Sequence, residues 1–306
     1  MTIVAFASIK GAPGMTTLAC LVGATWPEGR KVMVVECDPS GGDLAARFRL
    51  SSRIGWPSLI SAARRSEPDT PIESHLQQLP GGLDVLIGTT GRESSDTDVD
   101  MVTVLAAASS SSEGPWDVLV DLGRLLPMAS SATNWLDISD VVVIGLRGDA
   151  ASVMQVRERR ETRLSQWGDR LALVVVGTHC HSSAEIEGFT GIPVLGEIPS
   201  DAQAAAVAAG EQGGERRLSR SLLCTSATRL ATRLAAAPHP MTAPRVSAEV
   251  NDVKRDHASR QPRVRVHHTV ARLRILRRNV WSWASSGPSS SSGKALPDVS
   301  HEEALS

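Results

Sequence analysis

The segment Lys10–Thr17, KGAPGMTT, follows the apolar run Ile3–Ala7 and leads directly into a second apolar segment, Leu18–Ala24. An apolar strand, a glycine-containing turn and the start of an apolar helix, in that order, have the outline of a phosphate-binding loop. In the general pattern GxxxxGK[ST], backbone N–H groups of the turn cradle the phosphates, the lysine reaches the β- and γ-phosphates, and the hydroxyl holds Mg²⁺. Gly14, Thr16 and Thr17 stand where that chemistry needs them, but Met15 occupies the lysine position. A thioether offers neither a charge nor a hydrogen-bond donor.

Outward from the loop, short β-branched runs alternate with helical stretches. Strands are expected at Ile3–Ala7, Val32–Glu36, Leu83–Ile87, Val118–Asp121, Val141–Leu146, Leu171–Val176 and Val194–Glu197. Helices are expected at Thr16–Thr25, Asp98–Ser110, Ser152–Trp167, Ala202–Ala209 and Leu218–Ala236. Several strands are apolar throughout, the pattern of strands covered on both faces. The fold class is therefore α/β: a doubly wound, mainly parallel sheet with helices on both faces. A chain of 306 residues, 42% hydrophobic, is long enough for one such core with residues to spare. The prolines of AAAPHP stop the last helix and mark the edge of a body spanning 1–238.

Two further segments place carboxylates at strand ends. VVECDPSGGD, Val34–Asp43, ends a strand in Glu36 and turns through Asp38; DPSGG is also simply a turn sequence. WDVLVDLGR, Trp116–Arg124, has the form of a Walker B strand, an apolar run ending in Asp121 that would hold a Mg²⁺-bound water. The cysteines Cys20, Cys37, Cys180 and Cys224 show no paired spacing and read as reduced thiols; His179, Cys180 and His181 have no companion ligand cluster. No basic leader precedes an apolar core segment at the N-terminus, and no run approaches about 18 apolar residues, so a cytoplasmic location is expected.

The loop resembles the deviant KGGxGKTT loop of the ParA/MinD partitioning ATPases, in which an extra lysine opens the loop. That resemblance implies ATP and Mg²⁺ as ligands, bound along Gly11, Ala12, Pro13, Gly14, Met15, Thr16 and Thr17, and a homodimer in which Lys10 reaches the partner's nucleotide. Val34–Asp43 resembles the family's DxDPQGN segment, which implies that Glu36 helps hold the metal shell and Asp38 positions the attacking water; Thr16 and Asp121 complete the metal site. Lys10 and Asp38 are thus the catalytic candidates. Gly191–Gly213, GIPVLGEIPSDAQAAAVAAGEQG, is similar to the family stretch that carries Pro199 and Asp201 near the base. Gly177 and Thr178 replace the family's Asn-Lys or Asn-Arg at the end of the preceding strand. The resemblance covers Met1 to about Ala237, and the degenerate loop is similar in character to the TadZ/CpaE lineage.

The net charge of −1 hides an asymmetry: His257–Pro297 holds seven arginines, one lysine and no acid. After a linker at 239–262, the segment 263–284 places Val266, Val270, Leu273, Leu276 and Val280 at helical spacing, with arginines mostly off that stripe and Trp281 and Trp283 at one end. Such a segment suits an anionic membrane surface, a partner protein or DNA. Residues 285–306 form a serine- and glycine-rich tail expected to be disordered. The expected function is a dimeric, membrane-associated positioning or assembly protein with weak or absent ATP hydrolysis, placing an apparatus such as a Tad/Flp pilus or secretion system. A ParA-type DNA-partitioning ATPase and a pseudo-ATPase scaffold without nucleotide are the alternatives.

Overall fold

Alternation along the first strand sets up the architecture. Ile3, Ala5 and Ala7 pack on one side of the sheet with Met33, Val35 and Trp135, while Val4 and Phe6 pack on the other with Leu18, Val34 and Leu230. Both faces are therefore buried, which is why the strand reads as continuously apolar. The computed structural model of the chain describes residues 1–10, 14–65, 71–88, 104, 114–125 and 130–237. The expected helix Asp98–Ser110 lies outside the described residues except for the buried Val104, and so do 239–262, 263–284 and 285–306.

In chain order the elements are β1 (Ile3–Ser8), α1 (Met15–Ala24), β2 (Val32–Glu36), α2 (Leu44–Phe48), α3 (Trp56–Arg64), a 3₁₀ turn (Ile72–His75), β3 (Gln77–Gln78), β4 (Asp84–Leu86), β5 (Asp117–Arg124), α4 (Ser130–Ile138) and β6 (Val141–Leu146). Then come α5 (Ala150–Thr162), a 3₁₀ segment (Leu164–Arg170), β7 (Leu171–Val176), α6 (Ser183–Thr190), β8 (Val194–Ile198), α7 (Ala202–Ala208), α8 (Glu215–Ser219) and α9 (Leu222–Ala235). The sheet has eight strands in the order β3-β4-β2-β5-β1-β6-β7-β8, and only the two-residue β3 is antiparallel to its neighbour. The mainly parallel, doubly wound α/β expectation is met.

Two expected helices are divided. Ser152–Trp167 is α5 followed by 3₁₀ geometry, and Leu218–Ala236 is α8 and α9 separated at Ser221. There the Ser221 hydroxyl accepts a hydrogen bond from the Cys224 amide at 3.0 Å, a cap that starts a new helix inside an unbroken apolar periodicity. The short α2 and α3, and α6 with its Ser182–Glu185 capping box, were not anticipated because each carries fewer than three helical turns of pattern.

At the amino ends of the strands, one buried carboxylate ties four elements together. Asp117 accepts hydrogen bonds from the Thr2 amide at 2.6 Å, the Trp26 indole at 2.9 Å and Arg30 at 2.8 Å. Arg30 in turn donates to the Ala235 carbonyl at 2.7 Å, closing α9 onto the foot of the sheet. At the sheet's edges, β3 is only two residues long, and on β8 the Leu195 carbonyl accepts a hydrogen bond from Arg233 of α9. Asp117→Ala leaves the indole and guanidinium without their acceptor and should destabilise the protein by about 3 kcal/mol in denaturant unfolding. An unchanged midpoint would show that this junction contributes nothing.

Candidate phosphate-binding site

The site lies where β1 runs into α1, at the carboxyl ends of the parallel strands, the usual ligand position in an open α/β sheet. Gly14 occupies the left-handed region at φ 78°, which turns the chain into α1, and the Leu18 amide makes the first helical hydrogen bond to its carbonyl at 2.9 Å. Gly11, Ala12 and Pro13 lie outside the described residues. No acidic side chain occupies the first turn of α1.

Met15, at the lysine position, is not directed outward. It is 3% exposed and packs onto β6, where Gly145 makes room: a Cβ at that glycine would stand 2.0 Å from the Met15 sulfur. An apolar side chain at the start of the helix finds its favourable environment in the core. Lys10 is exposed at the end of β1, near enough to Asp149 for its charge to act on that carboxylate. Asp149 caps α5, and its carboxyl is held below the ordinary range first by the Ser152 amide, then by the Ser152 hydroxyl and by Lys10.

Glu36 and Asp121 face each other in register on β2 and β5, buried on the α1 side of the sheet. Both Glu36 oxygens are engaged: Oε1 accepts from the Asp43 and Leu44 amides at 2.8 and 3.0 Å, and Oε2 from the Gly88 amide at 2.8 Å. Gly42 sits against the same carboxylate, so that a Cβ there would be 2.2 Å from Oε2. Burial raises the Glu36 pKa, and the three amides oppose that rise. Glu36 thereby ties the DPSGGD turn and the exit of β4 to β2.

Asp121 is different. Its Oδ1 accepts from the Gly123 amide at 3.0 Å, while Oδ2, fully buried, has no hydrogen-bond partner among the described residues. Burial pushes its pKa up to about 6, against the pull of the Thr16 hydroxyl and the Gly123 amide. Asp38 accepts from the Ser40 amide at 2.7 Å and lies directly over Gly123, which has φ 55° and where a Cβ would meet the carboxylate at 1.8 Å. Thr16, Asp38 and Asp121 are thus brought together, as the sequence implies.

Pro199 lines an open groove of about 870 Å³ with Gly177, Thr178 and His179, whereas Asp201 caps α7 by accepting from the Ala204 amide at 2.9 Å. His179 pairs with Glu197 at 3.3 Å, and among the described residues no three His, Cys, Asp or Glu side chains converge as a metal cluster. Cys20 and Cys224 are buried, Cys37 is half-buried and Cys180 is exposed. No helix among the described residues is long and apolar enough to cross a membrane.

Sequence reasoning missed Arg47. It projects from α2 toward α1, donates to the Thr17 hydroxyl at 3.4 Å and pairs with Asp43. The helical spacing of Asp43 and Arg47 was the available signal.

By sequence the chain matches no family model and no curated relative. By structure it is similar to a ParA family ATPase from Chlorobium tepidum, at TM-score 0.59 and 18% identity over 76% of this chain and 98% of that one. The fold is that of the ParA and MinD ATPases. The MinD cell division protein of Aquifex aeolicus gives TM-score 0.58 and 16% identity over 79% and 100% of the two chains. MinD of Pyrococcus horikoshii, solved as its Mg-ADP complex, gives 0.53 and 13% over 77% and 97%. In this ParA/MinD fold, the loop, the DPSGGD turn and the Asp121 strand share one end of the sheet.

The raised Asp121 pKa means that the fold holds this proton more tightly than the unfolded chain does. Stability of the nucleotide-free protein should therefore fall as pH rises from the ordinary value of 3.8 to about 6, by about 2 to 3 kcal/mol from this group. Asp121→Asn removes that cost, and thermal melts between pH 5 and 8 should show the variant more stable than wild type above pH 6. A variant melting at or below wild type at pH 7.5 would show that the buried charge is not destabilising.

Proposed function

We propose that this chain is a nucleotide-binding positioning or assembly protein of the ParA/MinD type, working as a homodimer with weak or absent ATP hydrolysis. The observation that carries the reading is a contrast at one end of the sheet: Met15 of α1 is buried against Gly145, while Asp121 Oδ2 of β5 has no partner among the described residues. A buried carboxylate oxygen with no donor is costly, and a divalent cation would satisfy it. Thr16 and Asp121 would hold that Mg²⁺, which supplies charge neutralisation to the phosphates when bound. Glu36 fixes the turn that carries Asp38, and Asp38 is the group we assign to orienting a water.

Residues Gly11–Thr17 would line the phosphates, with Pro199 and Asp201 toward the base, and Lys10 serves the partner's site across the dimer. Hydrolysis is slowed because phosphoryl transfer relies on positioned positive charge, and Met15 provides none. Segment 263–284, reached through the 239–262 linker, is assigned to an anionic membrane surface, where Leu273, Leu276 and Trp281 would enter the acyl boundary. In this reading the cargo is a larger apparatus, of which a Tad/Flp pilus or secretion system is one example. Slow turnover disfavours the DNA-partitioning alternative, which needs repeated hydrolysis.

Isothermal titration with Mg-ATP tests the nucleotide reading. Wild type should bind with little turnover, and Met15→Lys should gain affinity while losing thermal stability, because its ammonium cannot occupy the space against Gly145. Wild-type hydrolysis at the rate of an activated ATPase would sink the claim that Met15 disables chemistry. Liposome co-sedimentation tests the surface: anionic vesicles should retain the protein at high salt, and Leu273→Asp with Leu276→Asp should release it. Equal retention of the double variant, or binding to duplex DNA alone, would displace the membrane assignment.

A further inference from the structure

Thr16 and Thr17 are consecutive on the first turn of α1 and face different groups. Thr16 lies near Asp121, on the side of the proposed cation, whereas the Thr17 hydroxyl accepts from Arg47 Nη1 at 3.4 Å. The Arg47 side chain keeps 31% of its surface exposed, and its other terminal nitrogen is held by Asp43. Its backbone is fixed as well. The Asp43 and Leu44 amides that open α2 are bonded to Glu36, and Gly210 lies so close that a Cβ there would stand 2.7 Å from the Arg47 carbonyl oxygen. A guanidinium is therefore placed at the N-terminus of a ten-residue helix, in the same site as the unpartnered, fully buried Asp121 Oδ2.

We infer that Arg47 supplies, from α2, the positive charge that the nucleotide's phosphates do not receive from Met15. The inference rests on the nucleotide-binding reading above and adds a residue to it. A guanidinium presents paired N–H donors to phosphate oxygens, and its charge does not titrate away. With a cation held on the Thr16–Asp121 side, Arg47 on the Thr17 side would be placed to donate to phosphate oxygens of a diphosphate and a triphosphate alike. A phosphate bound there would compete with the Asp43 carboxylate for Nη2, so Asp43 holds the guanidinium in waiting.

The test measures affinity for Mg-ADP and Mg-ATP by titration with fluorescent ribose-labelled nucleotide, using the full chain. Arg47→Ala should weaken both nucleotides about tenfold, the loss of one charge-assisted contact. Arg47→Lys should recover part of the loss, and the salt dependence of binding should be shallower in Arg47→Ala than in wild type. Arg47→Gln keeps a donor to Thr17 without the charge and carries the same expectation if Arg47→Ala does not fold. Asp43→Ala should bind as tightly as wild type or more tightly. If wild type binds and Arg47→Ala and Arg47→Gln match it within twofold, this inference is overturned and the nucleotide reading stands. If Asp43→Ala loses as much affinity as Arg47→Ala, Arg47 acts only through its ion pair and the inference again fails. If wild type binds neither nucleotide, both readings fall together.

Discussion

Two carboxylates buried side by side govern this end of the molecule. Glu36 and Asp121 occupy facing positions on adjacent strands, and each raises the energy of the other's charge. Burying like charges is tolerated only where donors or cations compensate. The two are compensated differently. Glu36 is satisfied from within, by three amides that can reach it only because Gly42 and Gly88 bring backbone close. Asp121 is satisfied by the Gly123 amide at Oδ1 and, among the described residues, left without a donor at Oδ2. The internal solution shapes the turn, and the deficit is the feature on which the proposed cation site rests.

Met15 follows the opposite logic. Its burial against Gly145 adds apolar contact to the helix side of the core, which includes Leu18, Val143 and Val174. The position has been moved from the site's chemistry to the core's packing, and positive charge near the loop comes from Lys10 and from Arg47 on a neighbouring element. These two cations approach from different directions: one from the end of β1 toward Asp149, the other from α2 toward Thr17.

The parallel sheet and the positions of its strands along the chain were legible because burial on both faces leaves an uninterrupted apolar run, visible in β1, β6 and β7. Gly14, Thr16, Asp38 and Asp121 were legible because a phosphate-loop outline and strand-terminal carboxylates are local patterns. What stayed hidden is set by distant backbone. Nothing in the Glu36 segment announces that Gly88, on another strand's exit, donates to it. Nothing near Met15 points to Gly145, which lies 130 positions along the chain. The split at Ser221 was concealed for the converse reason, since a single hydroxyl overrode a periodicity that continued through it.

The two edges of the sheet bear on self-association. An exposed parallel edge offers a row of free backbone groups on which another chain can template itself. Here one edge is a two-residue antiparallel strand, too short to seed such growth, and at the other a guanidinium already occupies the Leu195 carbonyl. Strand-by-strand growth would have to start from a two-residue strand at one border or displace the Arg233 contact at the other.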